Sequence, residues 1–111
     1  MGPIVGAEPE QGMIVEADFE RAGRIVQRLH RMLQGIERAR RNPNRREAYH
    51  ISLAIEHVHA GQLAESEAAM LSAERVDPIP AELAAQTALN EPPTVLQLRA
   101  ALDQGTRSAA L

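Results

Sequence analysis

One stretch of the chain constrains the fold more than any other, because its apolar residues recur at alternating intervals of three and four. This spacing forms a stripe along an α-helix, whereas one face of a β-strand needs an interval of two. We predict a helix over 18–41, ended by Asn42-Pro43, since a residue before proline is kept out of helical geometry. Its predicted core or oligomer face consists of Phe19, Ala22, Val26, Leu29, Leu33 and Ile36.

The composition of the chain excludes an all-β fold. The 111 residues include one Phe, one Tyr, and neither Trp nor Cys. A β-sandwich or barrel of this size needs many more aromatic and β-branched residues. The lack of Cys also removes disulfides, thiolate metal sites and thiol nucleophiles. We therefore predict an all-α fold, a small helical bundle whose first helix is the longest.

Capping and turn residues predict where the next two helices begin and end. Asn44 and Glu47 have the spacing of a capping box, in which each side chain accepts a hydrogen bond from the other residue's backbone. The helix that they begin should end at Gly61. Another is predicted over 62–76, before the helix-ending Asp77-Pro78.

The C-terminal part is predicted to contain one or two shorter helices. Pro80 suits the first turn of a helix that reaches residue 89. Thr94 and Gln97 can cap another helix from residue 95 to 104, which Gly105 should close. We divide the chain into a flexible N-terminal arm (1–14), a single helical domain (15–104) and a frayed C-terminus (105–111).

Large, small and turn residues follow a recognisable order in the middle of the chain. They are Leu53, Ala54, Gly61, Met70, Ala73, Asp77 and Pro78. With them, residues 47–78 resemble a tetratricopeptide repeat, whereas Ser66 and His57 stand where that family has alanine and an aromatic residue. The resemblance implies an antiparallel helical hairpin that serves as a binding scaffold rather than a catalyst.

The basic residues are unevenly distributed. All twelve are Arg, nine of them lie between residues 21 and 46, and Glu37 is the only acid among those nine. Because the net charge is −3 and the flanking regions are acidic, this asymmetry indicates an acidic partner or electrostatic pairing within the fold. The predicted partner-binding residues are Arg21, Arg24, Arg28, Arg31, Arg38, Tyr49, Leu53 and His57.

Two Glu-x-x-His motifs could hold a metal only in an oligomer. Glu47 with His50 and Glu56 with His59 have the spacing found in helical di-iron proteins. The motifs lie nine residues apart on one predicted helix and therefore point to opposite faces, so we predict neither metal nor cofactor. His50 and His57, seven residues apart, are predicted to line a groove or subunit contact.

A nuclease motif gives a further alternative. Arg45 and His50 match the loose Arg-x4-His motif of the helical nuclease domains called HEPN. In that resemblance, the arginine would hold a phosphate and the histidine would move protons. The many Arg and His residues nearby make this spacing easy to produce by coincidence.

We predict a small non-enzymatic protein-interaction module, an adaptor or accessory subunit. The alternatives are a nucleic-acid-binding protein that uses the basic cluster over 21–46, and an oligomeric metal-binding or HEPN-like protein. Few bulky residues are available for a core, so a homodimer is expected to supply additional buried area. A bacterial-type cytoplasmic location without membrane contact is expected, because neither an 18-residue apolar run nor a secretion signal occurs.

Overall fold

A computed structural model describes the backbone of residues 16–88 and 90–110 and the side chains of 18–86 and 90–104. This part of the chain is helical without strands, which confirms the predicted all-α fold. Its helices are α1 (Glu16–Arg38), α2 (Arg45–His59), α3 (Leu63–Arg75), α4 (Ala81–Ala88) and α5 (Val95–Ala110). The predicted arm over 1–14 lies outside the described residues.

Ion pairs between helices show the directions in which the helices run. Arg21 and Arg28 of α1 pair with Glu67 and Glu74 of α3, at the same separation of 46 residues, so α1 and α3 are parallel. Pairs from α1 to α5 have the opposite order, since His30 meets Asp103 and Glu37 meets Arg99. The second helix, α2, forms an antiparallel hairpin with α3 and also packs against α5 and α1.

The core lies between α1, α2, α3 and α5. Its largest fully buried residues are Ile25, Leu29, Leu33, Ile51, Met70, Leu102 and Ser66. Ser66 compensates for its buried hydroxyl by donating a hydrogen bond to the carbonyl of Ala54, 2.7 Å away across the hairpin. Over its described residues, the short helix α4 packs closely against none of the other helices.

The face predicted for the first helix is only partly buried. Leu29, Leu33 and Ile36 are in the core, and Ala22 and Val26 pack against its edge. Phe19 differs, because 62% of its surface is exposed. Ile25 and Met32, which by their spacing widen the apolar face, are buried and partly buried, whereas Ala39 at the same edge is exposed.

Three described helices end with the same pair of backbone hydrogen bonds. After α1, α2 and α3 the chain enters the left-handed region at Arg40, Gly61 and Val76, with φ of 56°, 79° and 53°. In each case the N–H of the left-handed residue bonds to the carbonyl three residues back. The N–H of the next residue bonds to the carbonyl five residues back, as in the Schellman motif. Glycine suits this conformation, whereas Arg40 and Val76 adopt it with a Cβ atom in place.

The starts of α2 and α5 follow the sequence prediction, but two helix ends do not. Asn44 and Glu47 form the predicted capping box, and Thr94 and Gln97 make the equivalent two hydrogen bonds. The first helix ends at Arg38 rather than 41, because the Schellman turn stops it before proline does. Gly105 does not close the last helix, which continues to Ala110.

None of the helices in the described ranges has both the length and the apolar character of a membrane-spanning segment.

Candidate partner-binding surface

Two of the predicted partner-binding arginines are neutralised by carboxylates of the same chain, at the surface of the fold. Arg21 donates through Nε to an oxygen of Glu67 at 3.1 Å and makes a second bond through Nη2. One heptad further along, Arg28 donates through Nη2 to Glu74 at 3.1 Å. Because the residues of each helix are seven apart, they form one row of charges at the α1–α3 contact, which we call the inner seam.

The electrostatics of the inner seam favour the charged forms of both partners. The hydrogen bond from Arg21 lowers the pKa of the Glu67 carboxyl, and the positive charges of Arg21, Arg24 and Arg28 lower it further. In turn, the hydrogen bond to Glu67 raises the pKa of the Arg21 guanidinium. The seam is solvent-accessible, so salt should weaken it.

Three other arginines of α1 point away from the core. Arg24, Arg31 and Arg38 are exposed, and within the described residues none of them makes an ion pair or hydrogen bond. Their seven-residue intervals correspond to about 10.5 Å along a helix, so the three span about 21 Å. We call them the outward row. Exposed Gln27 and Gln34 lie beside it, and exposed Glu20 lies one turn before its first member, so the line from Arg24 to Arg38 contains no acidic side chain.

The rest of the basic cluster is divided in the same way. Arg41 forms an ion pair with Glu47 at 2.8 Å, and this hydrogen bond lowers the pKa of the Glu47 carboxyl. Arg45 donates to the backbone carbonyl of Asn90 in the α4–α5 connection. Arg40 and Arg46 are exposed. The internal pairing that the charge asymmetry predicts therefore involves some of the basic residues. It does not include the arginines of the outward row.

The hairpin residues predicted for partner binding lie on a different surface. Tyr49, Leu53 and His57 occupy one stripe of α2. The helix α2 itself packs against the core side of α1. Each is half-buried: Leu53 packs against the core, and His57 Nδ1 lies 2.7 Å from Oε1 of Gln62. The structure does not combine this stripe with the outward row into one site.

A small groove adjoins Tyr49 and was not predicted. It has a volume of about 190 Å³, and its walls come from the N-terminal half of α2 and the segment before α5. Its lining residues are Arg45, Ala48, Tyr49, Ser52, Asn90, Glu91, Pro92 and Pro93. The only sequence signal for this wall was the Pro92-Pro93 pair, which indicates an extended segment but not what it contacts.

The histidines of the two Glu-x-x-His motifs make contacts within the fold. Buried His50 donates through Nε2 to the carbonyl of Asp77 at 3.0 Å, and His59 donates to the carbonyl of Leu102 at 3.1 Å. Glu47 is held by its capping box and by Arg41. In the described part of the chain, no three His, Cys, Asp or Glu side chains converge on a metal position.

The Arg-x4-His pair is likewise engaged by backbone groups. Arg45 bonds to the carbonyl of Asn90, whereas the ring of His50 is directed to the carbonyl of Asp77 at the end of α3. His50 is buried, and its ring lies nearly perpendicular to that of Tyr49 with ring centres 5.1 Å apart. Arg45 therefore binds the segment between α4 and α5, whereas His50 binds Asp77 just after α3. The two side chains do not face a common open cleft.

Comparison of the chain with protein families, with curated proteins and with solved structures found no significant match.

Proposed function

We propose that this chain is a small non-enzymatic interaction module, an adaptor or accessory subunit, that binds an acidic protein through the outward row. One observation supports the proposal above the others. The fold pairs Arg21 and Arg28 with its own carboxylates, yet holds Arg24, Arg31 and Arg38 in line on a rigid helix without such partners. A preformed row of charges loses little conformational freedom on binding, apart from that of its side chains.

The chemistry of the row favours a protein over a nucleic acid. Gln27 and Gln34 lie between the arginines of the row, and Glu20 lies one turn before Arg24. The single Tyr of the chain lies on α2, and Phe19 of α1 points to a different side of the helix, so the row offers no aromatic surface for stacking bases. The net charge of −3 also opposes the general attraction to a polyphosphate. Nucleic-acid binding by the basic cluster is the alternative to an acidic protein partner, and the two predict different crosslinked products.

A homodimer remains a prediction, but it would need a different surface from the one first expected. Leu29 and Leu33 have no exposed surface, because α2, α3 and α5 of the same chain cover them. Among the residues whose side chains are described, the large apolar ones that remain exposed are Phe19, Leu71 and Leu96, each on a different helix. Light scattering coupled to size exclusion measures the mass directly.

The test is site-specific photocrosslinking in the source cell with a photoreactive residue at Gln34, beside the outward row. We expect a covalent protein adduct whose yield falls sharply in the Arg24→Gln/Arg31→Gln variant. The Arg40→Gln/Arg46→Gln variant removes the same charge from two other exposed positions and should keep the adduct. Crosslinks to nucleic acid alone, or equal protein yields in both variants, would overturn the proposal.

A further inference from the structure

The inner seam shows how this fold neutralises a row of arginines. Arg21 and Arg28 lie seven residues apart on α1, and Glu67 and Glu74 lie seven residues apart on α3. Seven residues are close to two helical turns, so both rows stay on one side of their helices and meet pair by pair. A parallel helix with glutamates at seven-residue intervals is therefore a matching surface for an arginine row of α1.

The outward row repeats the spacing of the inner seam. Arg24 and Arg31 each follow a seam arginine by three residues, and Arg38 continues the line by another heptad. A shift of three residues turns the row by about 60° around the helix, away from α3. The same helix thus presents two arginine rows of equal spacing, of which α3 covers one.

We infer that the partner of the outward row is an α-helix with carboxylates at seven-residue intervals, packed along α1 as α3 is. The inference rests on the proposed function and specifies its partner. Three carboxylates, 14 residues from first to last, match the span of about 21 Å between the first and last arginine. Gln27 and Gln34 lie beside the contact and can hydrogen-bond to polar residues of the same helix.

A second copy of this chain is a poor occupant. If two copies packed through their outward rows around a two-fold axis at Arg31, Arg31 would face itself and Arg24 would face Arg38, so like charges would repel. The matching glutamates of α3 are already paired within their own chain. The row therefore favours a different, acidic chain.

Two synthetic helical peptides of identical composition would test this inference on the full chain. One carries three Glu at intervals of seven, so that they share a face, and the other carries them at intervals of five, which distributes them around the helix. Side-chain crosslinks keep both peptides helical. At low ionic strength, fluorescence anisotropy should show about tenfold tighter binding of the heptad peptide, the size expected for a few exposed ion pairs.

Matched variants and probes separate the possible failures. The advantage of the heptad peptide should disappear in Arg24→Gln/Arg31→Gln and persist in Arg40→Gln/Arg46→Gln, with unchanged circular dichroism in both. Equal binding of the two peptides, or no binding of either, would overturn the helix geometry and leave an acidic protein partner in place. Tighter binding of single-stranded RNA or duplex DNA than of either peptide would overturn the proposed function itself.

Discussion

At the scale of single residues, the fold holds a non-glycine residue in the left-handed region at two helix ends, Arg40 and Val76, and the strain is greater at the β-branched Val76. Val76 adopts φ 53° and ψ 49°, a left-handed conformation that disfavours a β-branched side chain. The turn positions Asp77, whose carbonyl accepts the hydrogen bond from buried His50 and whose carboxylate pairs with Arg75 at 3.0 Å. The strained residue therefore helps to join the end of α3 to the start of α2.

Replacing Val76 with glycine should stabilise the protein. The Val76→Gly change relieves about 1–2 kcal/mol of left-handed strain, and the greater freedom of glycine in the unfolded chain offsets part of this gain. We expect a net increase of about 0.5–1 kcal/mol in the free energy of unfolding, measured by urea denaturation. Arg40→Gly tests the same conformation at an exposed site and should also stabilise, whereas a loss in both variants would contradict the assignment of strain.

A second residue-scale prediction concerns Ser66, which stands where the resembling repeat has alanine. Its hydroxyl is fully buried and donates to the Ala54 carbonyl, so it links the two helices of the hairpin. Ser66→Ala should lower the free energy of unfolding by about 1 kcal/mol. Ser52→Ala, at a half-buried position of α2, should change it less; equal effects would show that the bond contributes nothing specific.

At the scale of helices, the sequence predicted α1 well because its apolar spacing is long and regular. That spacing cannot show which parts of the stripe a neighbouring helix covers, and Phe19 is 62% exposed although it follows the pattern. The arginine stripe was equally visible, but its separation into paired and unpaired rows depends on where α3 lies. Gly105 failed as a stop because glycine only permits a helix to end and does not force it.

A pair of substitutions in α1 distinguishes its buried and exposed apolar positions. Leu29→Ala should cost about 2–5 kcal/mol, because the side chain is fully buried and its loss leaves a cavity. Phe19→Ala should change the free energy of unfolding by less than about 0.5 kcal/mol in a single chain. Chemical denaturation measures both; a large loss at Phe19 with a fall in molar mass would instead place that residue in a subunit contact.

The helix α4 is expected to be the least stable of the described helices. It has eight residues and, where its side chains are described, packs closely against none of the others, and isolated helices of this length are marginal in water. Amide hydrogens over 81–88 should therefore exchange faster than those of α2 and α3 in native-state hydrogen exchange. Protection equal to that of α2 would mean that α4 is covered by a contact in solution.

At the scale of the whole molecule, acidic and basic residues are separated along the sequence and brought together by folding. Ion pairs connect α1 with α3 and α5, and Arg41 with the start of α2. The carboxyls of Glu47, Glu67 and Asp77 have lowered pKa values because arginines donate hydrogen bonds to them. Because all three pKa values are lowered, the free energy of unfolding should decrease as the pH falls.

Acid should destabilise the fold through these carboxyls. A group whose pKa is lowered by folding stabilises the folded state above its unfolded pKa, about 4.3 for Glu and 3.9 for Asp. That contribution is lost as the pH falls through the lowered value, so the urea midpoint should decrease between about pH 5 and pH 3. Glu47→Gln keeps a side chain that can cap α2 but removes its charge, and should reduce this decrease. The control is Glu65→Gln, at an exposed residue without an ion pair among the described residues, which should leave the decrease in urea midpoint unchanged. Identical pH profiles in the wild type and the Glu47 variant would show that the Arg41 pair does not contribute.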